Sequence, residues 1–271
     1  PRYKEITSGP GTILTADLYT SHITITQLKT GVENSRKLYP YSGFLNLEKH
    51  RHFVKAGFTG QYYFNFANNV NGLNVRFFAG KIFYASSVSS TQRLMDSRYH
   101  LNLTGPAGEE DYTYSNYFVG RNKFEGWASQ QIMIRDGSFK VRTDLLSDKI
   151  GKTDNWLSVI NFNTWIPDKI NPLKVLPVKI PLKLFADIGT YAEAWSREAE
   201  TSQTDRFLFD AGLQLSLFRE TVNIYFPLIY SKVFKDYYRS SLGDHRFWKT
   251  VSFSIDIQHI NLKKITGLTG L

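Results

Sequence analysis

FLFDAGLQLSL, residues 207–217, is the stretch whose reading decides the fold. Phe207, Phe209, Ala211, Leu213, Leu215 and Leu217 are apolar at every second position, and Asp210, Gly212, Gln214 and Ser216 fall between them with Leu208. Side chains on a strand point alternately to opposite faces, so this segment has one greasy and one wet face. After Arg219-Glu220, a two-residue turn by its position, the pattern resumes with Val222, Ile224, Phe226 and Leu228, and again with Val251, Phe253, Ile255 and Ile257. Lys179–Glu193 and Arg246–Ile260 read as strands of roughly ten residues or more, longer than the five or six usual in a soluble sandwich. The wet face carries Gly, Ser, Asn, Gln, Asp and Tyr, whereas a solvated face would be dotted with Lys and Glu. Long strands of this kind suit a closed barrel in an outer membrane, where backbone groups must all be satisfied within the sheet.

Working outward, the upstream segments follow the same logic. Val54, Ala56, Phe58, Gly60, Tyr62, Phe64 and Phe66 share one face of a strand, and Leu73, Val75, Phe77 and Ala79 one face of the next. Tight turns are expected at Ala67–Asn71, Gly105–Glu109, Asp136-Gly137 and Arg219-Glu220. Asp-Gly is a hairpin signal because a type I′ turn needs positive φ at both central residues. Longer polar connections are expected at Ser86–Asp96, Ser147–Asn155, Trp195–Asp205 and Phe234–His245. The alternation of short and long connections matches periplasmic turns and outer loops, although Pro167–Pro177 is long for a turn and Gly120–Asn122 short for a loop. The expected fold is all-β, an antiparallel transmembrane barrel of about 12 strands over residues 23–271, with no helix longer than a turn or two. Residues 1–22 read as a weakly patterned strand segment, with the phase breaking around Thr20–His22.

Composition narrows the function classes. The 271 residues hold 20 Phe, 16 Tyr and 5 Trp, an aromatic content that suits girdles at the membrane interfaces. Mean hydropathy is −0.31, and no apolar run reaches the ~20 residues of a spanning helix. There is no Cys, so disulfide and thiolate chemistry are excluded. The formal charge of +9 comes from 33 Lys and Arg scattered among 24 acids, not from the clustered patch that nucleic acid requires. Pro1–Glu5 is polar and opens no signal peptide. An exported barrel needs one, so the chain is expected to be a mature or trimmed part of a longer protein.

Catalytic and metal motifs are missing. The six histidines form no H-E-x-x-H pair, and His50 and His52 read as turn residues. Gly105-Pro106-Ala107-Gly108 opens no helix and so cradles no phosphate. Glu109-Glu110-Asp111 could in principle offer oxygen ligands to calcium, but such runs are more often solvated loops. No catalytic, cofactor or metal residue is assigned. The residues expected to face the lumen are Arg142, Asp144, Lys183, Asp187, Asp210, Gln214, Asn223, Asp256 and Gln258, with the acids paired to Lys183, Arg142 or other cations. Phe209, Leu213, Val222, Ile224, Phe253 and Ile255 are expected to face lipid. The bulky inward candidates Tyr63, Phe78, Phe185, Tyr191 and Tyr225 argue for a filled lumen rather than a diffusion pore.

Three stretches also resemble a known family: Gly72–Tyr84 (GLNVRFFAGKIFY), Tyr117–Lys140 (YFVGRNKFEGWASQQIMIRDGSFK) and Asp154–Asp236, with NWLSVINF, LPVKIPLKLFADIGTYAEAW and IYFPLIYSKVFKD inside it. They are similar to the carboxy-terminal outer-membrane β-barrel region of Bacteroidetes M1-family (gluzincin) metallopeptidase-like proteins, from about residue 23 onward. The resemblance implies a zinc peptidase domain amino-terminal to the barrel, with its H-E-x-x-H and downstream Glu. None of those residues exists in this chain. The family's region has further strands upstream of what corresponds to residue 23, so the resemblance implies that residues 1–22 are a junction and that this barrel is incomplete at its amino-terminal end. It further implies a barrel in the bacterial outer membrane that anchors a larger envelope protein, with membrane lipids, other envelope proteins or a fused soluble domain as partners. A channel or transporter for small solutes, with Lys183, Asp187, Asp210 and Asp256 setting selectivity, is the alternative.

Overall fold

The computed structural model describes residues 24–66, 71–85, 99–113, 118–143, 149–167, 171, 182–195, 205–218, 220–243 and 246–256, and the backbone of residues 2–7 and 12–17. Two short strands, β1 (Arg2–Thr7) and β2 (Thr12–Asp17), form a hairpin of their own. The main sheet begins as a meander of β3 (Thr26–Asn34), β4 (Tyr41–Lys49), β5 (Phe53–Asn65) and β6 (Gly72–Tyr84). The chain then leaves the sheet. It makes a two-residue pair, β7 (Leu101–Asn102) with β8 (Lys152–Thr153), and short 3-10 turns at Gly108–Glu110 and Trp127–Gln130. It rejoins at β9 (Trp156–Trp165), which pairs with β6, and continues through β10 (Leu182–Tyr191), β11 (Leu208–Leu217) and β12 (Val222–Tyr230). Helices α1 (Lys232–Leu242) and α2 (Phe247–Thr250) precede the last strand, β13 (Ser252–Ile255). The result is one nine-stranded antiparallel sheet in order β13-β12-β11-β10-β9-β6-β5-β4-β3.

The two-residue alternation of residues 207–217 sets the faces of this sheet. Along β11 the buried residues are Leu208, Asp210, Gly212, Gln214 and Ser216, and the more exposed ones are Phe209, Ala211, Leu213, Leu215 and Leu217. Asp210 is completely buried while Phe209 is 41% exposed. The same inversion holds on β10, where Asp187 is buried between exposed Ala186 and Ile188. Leu45, Val54, Phe58, Phe64, Phe77, Phe83, Ile160, Leu184, Ile188 and Phe209 are all exposed, and register puts them on one outer face from β4 to β11. An exposed Leu is ordinary on a protein surface, but an apolar patch across a whole sheet is not.

The described residues between 99 and 155 lie against the inner face as a plug. Leu101, Leu103, Phe139 and Val141 pack there with Phe53, Phe78, Ile82, Leu157, Val159, Tyr191 and Leu208 of the sheet and Phe234, Tyr237 and Tyr238 of α1. Glycines make room for it. A Cβ on Gly80 would meet Leu101 Cδ2 at 2.9 Å, and one on Gly189 would meet Leu103 Cδ1 at 2.8 Å. A β-bulge falls at Ala211/Gly212 opposite Pro227, where the missing proline N–H costs least.

Several expectations are corrected here. The connection at Phe234–His245 is not an extended polar loop over its described residues, and helix formation is not limited to a turn or two. The eleven-residue α1 begins after Ser231, whose carbonyl accepts from Phe234 and Lys235, and stops at Gly243 with φ of 61°. Tyr237 and Tyr238 are buried in the core because Val233, Phe234, Tyr237 and Tyr238 share one helical face. Arg246–Ile260 is not one long strand: α2 occupies its start, β13 has four residues, and residues 257–260 lie outside the described set. Asp136-Gly137 is a turn, with φ of 54° at Asp136 and 55° at Ser138, but it lies in the plug and joins no strands of the main sheet. Gly105–Glu109 likewise belongs to the plug, where Gly108–Glu110 form a 3-10 turn. The β5–β6 hairpin does follow the expected phase, pairing Asn65 with Gly72 around residues 67–70, which are not described.

Candidate functional site

Register brings a set of polar residues into one row. Gln61 of β5 opposes Arg76 of β6, Arg76 opposes Asn161 of β9, Asn161 opposes Asp187 of β10, and Asp187 opposes Asp210 of β11. Opposed residues share a face, so the row points inward at plug residues Asp136–Lys140. Lys140 Nζ donates to both Asp187 oxygens, at 2.8 and 3.0 Å. The backbone N–H groups of Lys140 and Val141 donate to Asp210 Oδ2 at 2.9 and 3.0 Å. Arg76 donates to Asn161 Oδ1 and to the Asp136 carbonyl, each at 2.8 Å. Asn161 in turn donates to Asp187 and to the Gly137 carbonyl, both at 2.9 Å. Lys55 adds a 4.0 Å ion pair to Asp136. A buried charge without a partner is expensive, and here Arg76, Asn161, Asp187 and Asp210 are each met by a charge, a side-chain amide or a backbone N–H.

Above this row, towards the ends of the sheet joined by long connections, the interior is the apolar core. A second charged cluster there holds the plug together internally. Lys149 and Lys152 pair with Glu110 at 2.6 and 3.3 Å. Arg121 and Arg135 pair with Asp111 at 3.2 and 3.5 Å. Burial alone would raise the Glu110 carboxyl, but Lys149, Lys152 and the Ala107 N–H outweigh it and hold it below the ordinary value. Burial, then the Glu48 carboxylate that accepts its hydroxyl, push Tyr112 well above the usual phenol range. These pairings occupy the acidic run considered for calcium. Among the described residues no group of three His, Asp or Glu side chains could hold a metal ion. The rings of His50 and His52 lie 5.4 Å apart, tilted by 59°, and His50 packs on Phe53.

Below the row, towards the tight-turn end, the interior is a polar chamber of about 720 Å³. Its amide lining includes Gln61, Asn74, Asn161, Asn163, Gln214 and Asn223. Asn163 donates to Gln214, and Gln214 donates to Ser216 and Asn223 at 3.0 and 2.9 Å. Lys183 reaches Glu220 at 2.7 Å and lies 4.1 Å above the Trp165 ring. Tyr225 shares a 2.9 Å hydroxyl contact with Ser254. Plug residues Met133–Arg135, Ser138 and Lys140 close the inner end.

The structure therefore separates the residues grouped by sequence. Asp187 and Asp210 belong to the buried row, while Lys183, Gln214, Asn223 and Asp256 line the chamber. Lys183 pairs with Glu220, and the cation that meets Asp187 is Lys140, which sequence reasoning did not select. Arg142 is buried, but it sits on the plug and not on a strand of the sheet. It donates to Ser129 Oγ at 2.8 Å, and its backbone N–H donates to Tyr238 Oη at 2.8 Å. Asp144 and Gln258 lie outside the described residues. Leu213, Val222, Ile224, Phe253 and Ile255 are half-buried and Phe209 exposed, all on the face opposite the buried polar set. Phe78, Phe185, Tyr191 and Tyr225 point inward and are buried, and Tyr63 is half-buried. Trp156 and Trp165 are the first and last residues of β9, whereas Trp127 sits on a plug turn and is 67% exposed. No protein family, curated protein or solved structure matches the chain.

Proposed function

We propose that this chain is the wall and plug of a bacterial outer-membrane β-barrel that serves as an anchor or scaffold for a larger envelope protein. The observation that carries the reading is the inversion of the sheet: polar and charged residues are buried inside, and apolar residues cover the outside. A water-soluble sheet buries its apolar face, because burying apolar surface drives folding. A sheet surrounded by lipid does the reverse. The length of the strands agrees: β9, β10 and β11 have ten residues each, and a tilted spanning strand needs about 9–11.

On this reading Phe209, Leu213, Val222, Ile224, Phe253 and Ile255 meet acyl chains, and the charged row locks the plug to the wall. A locked plug makes the barrel structural, and the small-solute channel takes second place to the anchor. The chamber does not favour the channel, because its inner end is closed by the plug. The fused domain that the family resemblance implies, an M1-type zinc aminopeptidase, is the cargo we propose.

Refolding the purified polypeptide with phospholipid vesicles tests the membrane part. We expect it to float with the vesicles, to resist protease and to migrate faster on a gel before boiling than after. A protein that stays soluble and fully digestible would contradict the reading. An upstream coding sequence carrying H-E-x-x-H followed by a Glu ligand would support the proposed cargo, and its absence would remove it.

A further inference from the structure

The nine-stranded sheet ends in two edge strands, β3 and β13, that do not pair with one another. β3 is exposed along both faces as well as its edge, with Leu28 and Val32 60% and 63% exposed. Among the described residues β13 has only a single bridge beyond it, from Gln131 of the plug to Phe253, with Ile132 N–H donating to the Phe253 carbonyl at 2.8 Å. In hydrocarbon each unpaired backbone group costs several kcal/mol, so the membrane reading requires these edges to be covered.

Two observations say how wide the gap is. Laid flat, nine strands at about 4.8 Å spacing would hold their edges about 38 Å apart. Instead Lys29 of β3 and Ser254, Ile255 and Asp256 at β13 line the same 720 Å³ chamber. The plug clamps that curl. Within residues 136–140, Asp136 meets Lys55 of β5 at 4.0 Å and Arg76 of β6 at 2.8 Å, and Lys140 meets Asp187 of β10. Ser252 of β13 donates to the carbonyl of the same Lys140 at 2.6 Å. Five residues span at most roughly 14–18 Å, so β5 and β13 are drawn round one short segment.

Strand direction supplies the rest. Each pair in the sheet is antiparallel, so the first and ninth strands run the same way. Antiparallel closure then needs an odd number of additional strands. We infer that the seam between β3 and β13 is closed in the membrane by one to three further strands of the same polypeptide, odd in number, and not by a second copy of the chain. Two copies joined edge to edge would have to uncurl into halves of an eighteen-stranded wall, breaking the contacts that hold β5 and β13 to residues 136–140. The inserted strands would also cover plug residue Trp127, now 67% exposed with its ring 5.8 Å from that of Phe253.

This inference rests on the membrane reading, and the test separates the two. These 271 residues hold no Cys, so with any Cys elsewhere in the full-length polypeptide replaced by Ser, Thr30→Cys on β3 and Ile255→Cys on β13 carry spin labels without background. Distances are measured by pulsed electron resonance on the full-length polypeptide in phospholipid nanodiscs. Four strand spacings put the two backbones at most about 19 Å apart, so we expect one short intramolecular distance, and none from protein labelled only at Thr30→Cys. A backbone separation above about 35 Å, or a short distance between singly labelled molecules, overturns the seam while leaving an inserted barrel intact. Failure to enter the bilayer sinks the membrane reading and the seam together.

Discussion

Ile188→Lys separates a membrane wall from a water-exposed sheet by magnitude alone. Ile188 is 43% exposed on the outer face of β10, opposite Ile160 on one side and Phe209 on the other. It lies about one and a half residues from the middle of Leu182–Tyr191, or about 5 Å along the strand. A spanning barrel carries an apolar band about 25 Å tall, so this position is well inside it. Lys at the midplane of such a barrel costs about 2–4 kcal/mol, falling towards zero at the interfaces. We therefore expect a loss of about 2–3 kcal/mol, or roughly 30- to 150-fold in the folding equilibrium. If water met this face, the same substitution at a half-exposed site would change stability by less than about 0.5 kcal/mol. Urea titration of the refolded protein in vesicles, followed by tryptophan emission, reads the difference. A change within about 0.5 kcal/mol would refute the assignment of this face to lipid.

Lys140→Met leaves Asp187 and Asp210 opposed and buried without their cation, and should cost about 3–5 kcal/mol by urea titration. Adding Asp187→Asn should recover most of that loss, and equal losses in the single and double variants would mean that the pair is not coupled. Gly189→Ala would place a Cβ 2.7 Å from Val159 Cγ2 and 2.8 Å from Leu103 Cδ1, so thermal unfolding should show a loss of about 1–3 kcal/mol rather than the usual gain for Gly to Ala in a strand. Because Glu110 titrates below its ordinary value of 4.5, its contribution is fully present above that pH and is lost as pH falls through the lowered one. Glu110→Gln should accordingly be less stable at pH 7 and lose less on acidification below pH 4.5 than the wild type, as read by urea midpoints. In planar bilayers the purified protein should show no steady, large single-channel conductance, and such a current would move the channel reading ahead of the anchor.

How far the sequence could be read depended on whether a neighbour along the chain or a distant one decided the outcome. β11, β12, β5 and β6 were legible because a two-residue period is written locally, and register then follows from which face is apolar. The inward positions Asp187, Asp210, Gln214 and Asn223 followed from that same phase. The plug was not legible. Ser138–Thr143 alternates Phe139 and Val141 with Lys140 and Arg142, like a strand, yet both sets are buried because plug and sheet close over them from both sides. The partner of Asp187 lies 47 positions away, and no local spacing announces it. α1 did leave a signal in the helical spacing of Val233, Phe234, Tyr237 and Tyr238, masked by the charged residues between them.

The most direct measurement is solvent accessibility along the stretch that decided the fold. Single cysteines placed in turn from Leu208 to Leu217, spin-labelled and reconstituted in bilayers, report collisions with oxygen, which partitions into lipid, and with a water-soluble nickel chelate. The account predicts high oxygen accessibility at 209, 211, 213, 215 and 217, with low values for both reagents at the buried positions between them. Nickel accessibility above oxygen accessibility at the odd-numbered positions would place this face in water and contradict the account.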